Sequence, residues 1–340
     1  MQQRRLGRSG LRVSSATLGT MNFDSGPGTA CDEGEARRII DAYLDAGGNV
    51  IDTADIYCGG RSEEIVGRAI TARRDSVVLA TKGSGPLGEG PNDRGLSRMH
   101  LTRALEASLR RLRTDHVDLY QCHNWSGDTP VEETMSTLDG FVRSGKVRYI
   151  GCSNYTAAQI VECQLTSRHL GATPFVSLQP HYSLLARDIE AEILPTCDRH
   201  GLGTLTYGAL ASGMLAGRYR RGAEPEEGSR MHRWLNLPHP AAVRWVGAMM
   251  TDRNFEVVDE VVQAAGKLGS TPAAVAIAWV AGRRGVSSVI VGPRSVDQLA
   301  DNLRGFALEL PAEVAAHLET VSVPANQPIN GMPVAQRGAV

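Results

Sequence analysis

The 340-residue chain lacks several features that would assign it to a specialised class of protein. Its formal net charge is -1, so it has no basic excess of the kind that nucleic-acid-binding or membrane-surface proteins carry. No apolar run approaches the roughly 18–20 residues that span a bilayer, and the N-terminus lacks the apolar core of a signal peptide. Its six cysteines show neither C-x-x-C nor zinc spacing. These absences predict a cytoplasmic protein with reduced thiols and with no nucleic-acid or membrane partner.

The chain does contain short apolar runs that alternate with stretches in which apolar residues recur at the spacing of an α-helix. The apolar share of 42% and the charged share of 21% suit a globular protein with a full-sized core. Eight strand-and-helix units favour a single closed (β/α)₈ barrel over a doubly wound sheet, because no G-x-G-x-x-G follows the first strand and no P-loop occurs. The predicted strands are 16–19, 49–52, 76–81, 117–122, 147–152, 175–179, 202–207 and 288–291.

Further segments fall outside this repeat, within what we predict to be one domain over residues 1–340. Residues 1–14 alternate around Ser9-Gly10 and predict a small β-hairpin. Residues 211–253 are rich in Gly, Arg, Pro and Trp and predict a long loop, and an extra helix is expected before the last strand. The tail, 324–340, has little that could be buried.

Four polar side chains follow, or end, successive strands in the first third of the chain. Asp52, Lys82 and His123 end the second, third and fourth strands, and Tyr57 lies in the loop after the second. Each residue alone has an ordinary explanation, such as packing or loop capping. An ordinary structural role explains Lys82 less well, because the chain has only two other lysines. A buried ammonium also needs a partner, and Asp52 is the natural candidate. Since the active site of such a barrel lies at the C-terminal ends of the strands, the four side chains are expected to converge there.

This set of groups suits proton transfer to a carbonyl oxygen. Hydride transfer to a carbonyl leaves negative charge on the oxygen, and an acid must deliver a proton there. A phenol beside an ammonium can serve, because the cation stabilises the phenolate. His123 would orient the carbonyl by a hydrogen bond. None of the four can supply hydride, so a nicotinamide cofactor is implied.

Three separated motifs, together with these four residues, resemble the aldo-keto reductase superfamily. The stretch 47–57, together with Arg61-Ser-Glu-Glu, resembles the first signature of the family. The stretch 145–155 resembles the motif of its fifth strand. Ile290-Val-Gly-Pro-Arg, together with Gln298-Leu-Ala-Asp-Asn, resembles its cofactor motif. The layout resembles the bacterial branch near potassium-channel β-subunits and sugar ketoreductases. The resemblance implies a (β/α)₈ barrel that reduces an aldehyde or ketone with NADPH, with Tyr57 as proton donor.

The resemblance also implies a set of binding residues. Ser153, Asn154 and Gln179 would hold the carboxamide, Tyr207 would stack on the nicotinamide, and Arg294 would pair with a 2′-phosphate. The implied cofactor-binding residues are Thr20, Met21, Asp52, Ser153, Asn154, Gln179, Tyr207, Gly208, Ala209, Leu210, Ser212, Gly213, Gly292, Arg294, Gln298, Asp301 and Asn302. The candidate substrate-lining residues are Met21, Phe23, Trp125 and Trp234, and Cys58, where glycine is usual in the family, is either neutral or a thiol at the pocket rim.

Three other functions stay open at this point. One is a keto-deoxysugar reductase dedicated to a pathway. Another is a cofactor-binding regulatory subunit, similar to the channel β-subunits, with little turnover. A metal-dependent hydrolase that uses His123 and Asp52 is disfavoured, because no further histidines cluster at strand ends. A monomer and a homo-oligomer are equally compatible with a closed barrel, which exposes no sheet edge.

Overall fold

The computed structural model describes residues 1–24, 31–237 and 240–324, with the backbone only for 240–242. By its internal contacts the chain divides into two compact units. The first comprises Met1–Pro180, Ala191–Tyr207 and Gly285–Leu299, and the second comprises His181–Glu190, Gly208–Arg284 and the described residues from Ala300 onward. The single-domain organisation stays a prediction.

The first unit contains a closed barrel of eight parallel strands, which confirms the predicted (β/α)₈ fold. The strands are β3 (Ala16–Gly19), β4 (Val50–Asp52), β5 (Val78–Gly83), β6 (Val117–Cys122), β7 (Val147–Ser153), β8 (Ser177–Gln179), β9 (Gly203–Thr206) and β10 (Val286–Val291). Pairing runs in chain order from β3 to β9, and β10 then pairs with both β9 and β3. Strand β5 extends past its predicted end, so Lys82 lies within the strand.

The predicted small antiparallel hairpin is present at the N-terminus, and it closes one end of the barrel. Strands β1 (Gln3–Arg5) and β2 (Arg12–Ser14) pair along their length. Leu6 and Val13 of the hairpin are fully buried, and they pack in one cluster with core residues of the barrel strands. The hairpin therefore fills with apolar side chains the end of the barrel opposite the predicted active site.

In the first unit the helices follow the strands along the chain, and the sequence predicts some of the helix ends correctly. They are α1 (Glu33–Asp45), α2 (Arg61–Ile70), α3 (Arg98–Leu112), α4 (Val131–Arg143), α5 (Ala157–Leu170) and α6 (Ile193–His200). The sequence alone predicts that α6 begins at Asp188, but it begins at Ile193, because Pro195 lacks an N–H and is tolerated only in the first turn. The residue type of Ser62 predicts that it is the N-cap of α2. This prediction is wrong: Ser62 is buried inside the helix, and its hydroxyl bonds Thr20 and Thr53.

The second unit is helical in its described residues. Its helices are two 3₁₀ helices (Asp188–Glu190 and Ala211–Ala216), α7 (Arg230–Leu235), α8 (Pro240–Met249), α9 (Asp252–Lys267), α10 (Pro272–Ala281) and α12 (Ala312–Val321). The apolar helix α10 is buried from Ala273 to Ala281, and the side chain of Trp279 packs on Tyr182 with ring centroids 5.7 Å apart. Helix α11 (Val296–Ala307) begins in the first unit and continues into the second.

The segment 211–253 is a long connection that carries helices of its own. Ser229 caps helix α7 by accepting a hydrogen bond from the amide of His232 at 3.2 Å, a local signal within a stretch whose Gly and Pro content suggested only loop. Of the predicted tail, residues 325–340 lie outside the described residues.

Two helical glycines of the barrel unit differ in what surrounds them, and this gives a matched test of packing. A Cβ on Gly67 of α2 would lie 2.6 Å from the backbone of Leu112, whereas a Cβ on Gly140 of α4 would meet nothing within 4 Å. We expect Gly67→Ala to lower the free energy of unfolding by about 1–3 kcal/mol, because backbone must move. Gly140→Ala should leave it unchanged or raise it by up to about 1 kcal/mol. Urea unfolding of both variants measures this, and equal effects would contradict the close approach of α2 to Leu112.

Candidate active site

A layer of polar side chains lies directly above the apolar core of the barrel. Val50, Ala80 and Leu119 belong to the core cluster. Two residues further along each strand, and therefore on the same face, stand Asp52, Lys82 and Gln121. The strand register places Lys82 opposite Gln121 and Asp52 opposite Ala80, and the Asp52 side chain reaches both Lys82 and Gln121 through hydrogen bonds. Because every second residue of a strand faces the barrel interior, the apolar layer is followed by a polar layer at the C-terminal end of the barrel.

Lys82 is fully buried, and its ammonium makes three hydrogen bonds. Its Nζ donates to Asp52 Oδ1 at 2.6 Å, to the carbonyl oxygen of Thr53 at 2.7 Å and to Tyr57 Oη at 3.1 Å. Burial alone would lower the pKa of Lys82, but the charge of Asp52 and the contact with Tyr57 outweigh burial, so the pKa is raised. Lys82 is therefore a permanent cation inside the barrel.

The carboxylate of Asp52 is held on both sides. While Oδ1 accepts from Lys82, Oδ2 accepts from Gln179 Nε2 at 2.8 Å and from Gln121 Nε2 at 3.2 Å. Gln121 was not among the predicted site residues. Its position two residues before His123 on the same strand face was the signal that could have identified it.

Tyr57 lies on a tight turn between β4 and α2. Cys58 and Gly59, which follow it, adopt left-handed conformations with φ of 50° and 64°. This turn brings the phenol back over the strand ends, where its ring meets the His123 ring edge-on at a centroid distance of 5.8 Å. The structure therefore brings together all four predicted residues, Asp52, Tyr57, Lys82 and His123.

His123 is electrically neutral in this environment. Burial, followed by the positive charge of Lys82, lowers the pKa of His123 to about 3. Its Nδ1 is buried and makes no hydrogen bond to any of the described residues. At neutral pH the side chain is thus an uncharged imidazole, which can donate a hydrogen bond from one nitrogen only.

A second hydrogen-bonded group adjoins these four residues. Ser153 Oγ donates to the carbonyl oxygen of Gln179 at 2.8 Å. Asn154, which is exposed and left-handed with φ of 61°, donates from Nδ2 to the carbonyl oxygen of His123 at 3.1 Å and accepts at Oδ1 from Tyr207 Oη at 2.8 Å. The half-buried ring of Tyr207 is therefore anchored at its hydroxyl beside an exposed amide.

The loop after β3 links the predicted catalytic turn to the predicted cofactor motif. The hydroxyl of buried Thr20 donates to the carbonyl oxygen of Asp52 at 3.0 Å, and Cys58 Sγ lies 3.5 Å from the carbonyl oxygen of Met21. Asn22 Nδ2 donates to the carbonyl oxygen of Gly292 at 2.9 Å. This loop thus spans from the end of β4 to the end of β10.

The cofactor motif after β10 is ordered around the first turn of α11. The Oε1 atom of Gln298 accepts from the backbone amide of Arg294 at 3.0 Å, and the Gln298 amide donates to Ser295 Oγ at 3.2 Å. Of the remaining predicted cofactor residues, Gly208, Ala209, Leu210, Ser212, Gly213, Asp301 and Asn302 lie in the second unit. There Asp301 accepts a hydrogen bond from the Thr271 hydroxyl at 2.8 Å.

The candidate substrate residues fall in different surroundings. Met21 is 37% exposed, whereas Phe23 is fully buried. The ring of Trp125 packs edge-on against Tyr155 at 5.3 Å. Trp234 lies in the second unit and pairs with Trp245 at a centroid distance of 4.5 Å. A substrate-lining role for these residues stays a prediction.

A buried acidic group lies on the outer side of the strands, behind the site. Glu63, in the first turn of α2, is fully buried, accepts from Arg111 Nε at 2.7 Å and accepts from the hydroxyl of Thr81. Neither carboxyl oxygen of buried Asp55 has a partner among the described residues. Burial, then the charge of Glu63, raises the pKa of Asp55 to about 7, although Arg111 opposes the shift.

Gly83 makes room for this acidic group. A Cβ at Gly83 would lie 2.1 Å from Tyr120 Oη and 3.5 Å from Asp55 Oδ2. The hydroxyl of Tyr120 is buried and has no partner within the described ranges. The amide of Asp55 donates to the carbonyl oxygen of Lys82 at 3.1 Å, so the acidic group is tied to the strand that carries the buried ammonium.

Comparison with known proteins identifies the family. The sequence pattern of the "Aldo/keto reductase family" matches residues 16–323. The chain is 37% identical over 329 residues to a "Probable voltage-gated potassium channel subunit beta" of Oryza sativa subsp. japonica, with 94% of this chain and 96% of the relative covered. It is also 37% identical over 332 residues to "Uncharacterized oxidoreductase YrpG" of Bacillus subtilis (strain 168), with the same coverage of 94% and 96%.

A fungal relative is similar over a smaller share of its own length. "Norsolorinic acid reductase" of Aspergillus flavus is 34% identical over 318 residues, covering 90% of this chain and 76% of the relative. The chain therefore belongs to the aldo/keto reductase family. Membership implies an oxidoreductase that uses NAD(P)H and a small carbonyl substrate.

Within residues 1–24, 31–237 and 240–324, no three His, Cys, Asp or Glu side chains converge so that they could hold a metal ion. In the same part of the chain, no helix combines the length and the apolar character that crossing a bilayer requires.

The raised pKa of Asp55 predicts how stability depends on pH. The unfolded carboxyl has a pKa of about 3.9, so between about pH 4 and pH 7 the native state binds more protons and its stability falls as pH rises. Asp55→Asn removes this loss. The free energy of unfolding of the variant relative to wild type should rise by about 2–3 kcal/mol between about pH 5 and pH 8. Urea titrations at both pH values measure this difference.

Asp75→Asn, at an exposed position, serves as the matched control. Its difference from wild type should stay constant with pH. A constant difference for Asp55→Asn as well would show that Asp55 is ionised in the native state throughout this range.

Proposed function

We propose that this protein is an NADPH-dependent carbonyl reductase in which Tyr57 is the general acid. The observation that carries the proposal is the continuous hydrogen-bonded series from Asp52 through the buried Lys82 to the Tyr57 hydroxyl. Such a series stabilises the phenolate that forms when a proton is given to the substrate oxygen.

The surrounding residues suit a nicotinamide dinucleotide. An exposed amide at Asn154 stands next to the anchored ring of Tyr207, and Arg294 precedes the N-terminus of α11. In the proposal, Asn154, Ser153 and Gln179 hold the carboxamide, Tyr207 stacks on the nicotinamide and Arg294 pairs with the 2′-phosphate. Bound NADPH supplies the hydride.

The other three residues of the site have separate tasks in this proposal. His123 cannot be the proton donor as an imidazolium, because its pKa of about 3 leaves it neutral. With Nδ1 buried and lacking an acceptor among the described residues, its proton belongs on Nε2, which donates a hydrogen bond to the carbonyl oxygen. Lys82 is fully buried and does not reach the substrate; it stabilises the Tyr57 phenolate, and Asp52 fixes Lys82.

Two alternative functions would use the same site, and measurement of carbonyl turnover distinguishes them from the proposed function. A cofactor-binding regulatory subunit is favoured by the 37% identity to the probable channel subunit, and it would bind NADPH without appreciable reduction of carbonyls. A keto-deoxysugar reductase would turn over sugars in preference to simple aldehydes. A panel of aldehydes, ketones and keto-sugars, with NADPH consumption as the readout, distinguishes these functions.

The proton-donor assignment is tested by Tyr57→Phe. Loss of the general acid should lower kcat about 10²–10⁴-fold, while the Kd for NADPH measured by fluorescence stays within about twofold. Tyr149→Phe is the matched control, since that ring packs near the apolar core and not at the polar layer, and its kcat should be unchanged. Full reductase activity in Tyr57→Phe would exclude Tyr57 as the acid.

The cofactor preference is tested by Arg294→Ala. The variant loses the charge-assisted hydrogen bonds that Arg294 would make to the 2′-phosphate, so the Kd for NADPH should rise about tenfold. The Kd for NADH, which has no 2′-phosphate, should hardly change. Arg304→Ala, in the last turn of the same helix, is the control. An unchanged ratio of the two dissociation constants in Arg294→Ala would remove Arg294 from the proposed task.

A further inference from the structure

The N-terminus of α11 is already occupied by a carboxylate from this chain. Glu35, in the first turn of α1, accepts a hydrogen bond at Oε1 from the backbone amide of Val296 at 2.8 Å. Val296 is the first residue of α11 and lies two positions after Arg294. The carboxylate therefore neutralises part of the positive end of the helix dipole that an anionic ligand would otherwise meet.

This carboxylate is fixed in place and ionised. Its second oxygen, Oε2, accepts from Arg38 Nε at 2.9 Å, and the Glu35 side chain is only 20% exposed. The hydrogen bond from Arg38 first, and the backbone bond from Val296 second, lower the pKa of Glu35. A free helix N-terminus would attract an anion, whereas this one presents a fixed negative charge.

Charges of both signs act on a buried thiol that precedes α1. Burial first, and then the negative charges of Glu35 and Asp32, raise the pKa of Cys31, whereas the positive charges of Arg38 and Arg294 lower it. The charge of Glu35 is therefore felt in the same neighbourhood as that of Arg294, the residue proposed to receive a phosphate.

From this arrangement we infer that Glu35 is a specificity-determining residue for the dinucleotide. Its carboxylate repels a 2′-phosphate at the start of α11 and so weakens the preference for NADPH over NADH that Arg294 provides. The inference rests on the proposed function, since it assumes that a dinucleotide binds with its adenosine end there. NADH carries no 2′-phosphate and is indifferent to Glu35.

Removal of the Glu35 charge is expected to change the affinity for NADPH only moderately, because Arg294 attracts the 2′-phosphate while Glu35 repels it. A phosphate monoester carries about -1.5 to -2 charges at neutral pH, so each nearby fixed charge acts on it strongly. The partial burial of Glu35 limits screening, whereas its partner Arg38 is 67% exposed, so salt still weakens the effect of these charges. We expect removal of the charge to tighten NADPH binding about three- to tenfold at low ionic strength, and less at high ionic strength.

Glu35→Gln is the decisive variant. Its amide oxygen can still accept the Val296 amide, so the charge is lost while the cap of α11 is kept. Glu33→Gln is the matched control: Glu33 lies in the same turn of α1 but binds Arg68 Nε at 2.6 Å. Dissociation constants of NADPH and NADH are measured by fluorescence titration for wild type and both variants, at low and high salt.

In the expected result, Glu35→Gln lowers the Kd for NADPH about three- to tenfold, the Kd for NADH stays within about twofold, and Glu33→Gln changes neither. The unchanged NADH affinity also shows that the variant is folded. The inference is overturned if the ratio of the two constants stays at its wild-type value, if NADPH binds more weakly, or if Glu33→Gln has the same effect. If wild type binds neither dinucleotide, the proposed function fails together with the inference, whereas binding of both with an unchanged ratio overturns the inference alone.

Discussion

The burial of one ammonium group is the constraint on which the centre of this protein depends. A charge inside a protein is costly unless it is paired and hydrogen-bonded, and Lys82 has no exposed surface. Asp52, the carbonyl oxygen of Thr53 and the hydroxyl of Tyr57 each take one of its hydrogen bonds. The turn after β4 must therefore return to the strand ends for the fold to tolerate Lys82, and the same return brings Tyr57 to the open end of the barrel. Stability and chemistry are served by one set of contacts.

The layering of the barrel explains why this charge can be accommodated. Apolar side chains of the hairpin and of the lower strands exclude water from one end, and polar residues on the next level satisfy one another at the other end. Asp52 binds Lys82 and two glutamines, so neither member of the central ion pair depends on solvent. Such a fully connected network is rigid, because moving any one member leaves another buried group unpaired.

Much of this could be predicted from the sequence, and the omissions have physical reasons. Strand periodicity and the positions of Asp52, Lys82 and His123 predicted both the barrel and the convergence of the site. Gln121 was missed because only the ends of the strands were considered, although it lies two residues before His123 on the same strand face. Ser62 was taken for an N-cap since its type favours that position, but tertiary contacts with Thr20 and Thr53 outweighed the local preference.

Helix α12 and the helices within 211–253 were the least predictable part. They are short, and turn-forming residues surround them, so the local pattern resembled loop. The contact of Glu35 with the backbone amide of Val296 was likewise invisible in the sequence, because α1 and the start of α11 are far apart along the chain. Only closure of the barrel between β10 and β3 brings them together.

The space beside Gly83 has a consequence for how this sequence can vary over evolution. The hydroxyl of Tyr120 occupies the volume that any side chain at position 83 would need, and Asp55 borders the same volume. A side chain at position 83 is therefore compatible with the fold only when residue 120 gives up the volume of its hydroxyl. Relatives with a larger residue at 83 should carry a phenylalanine or a smaller residue at 120, so that these two positions vary together although they are distant in the chain.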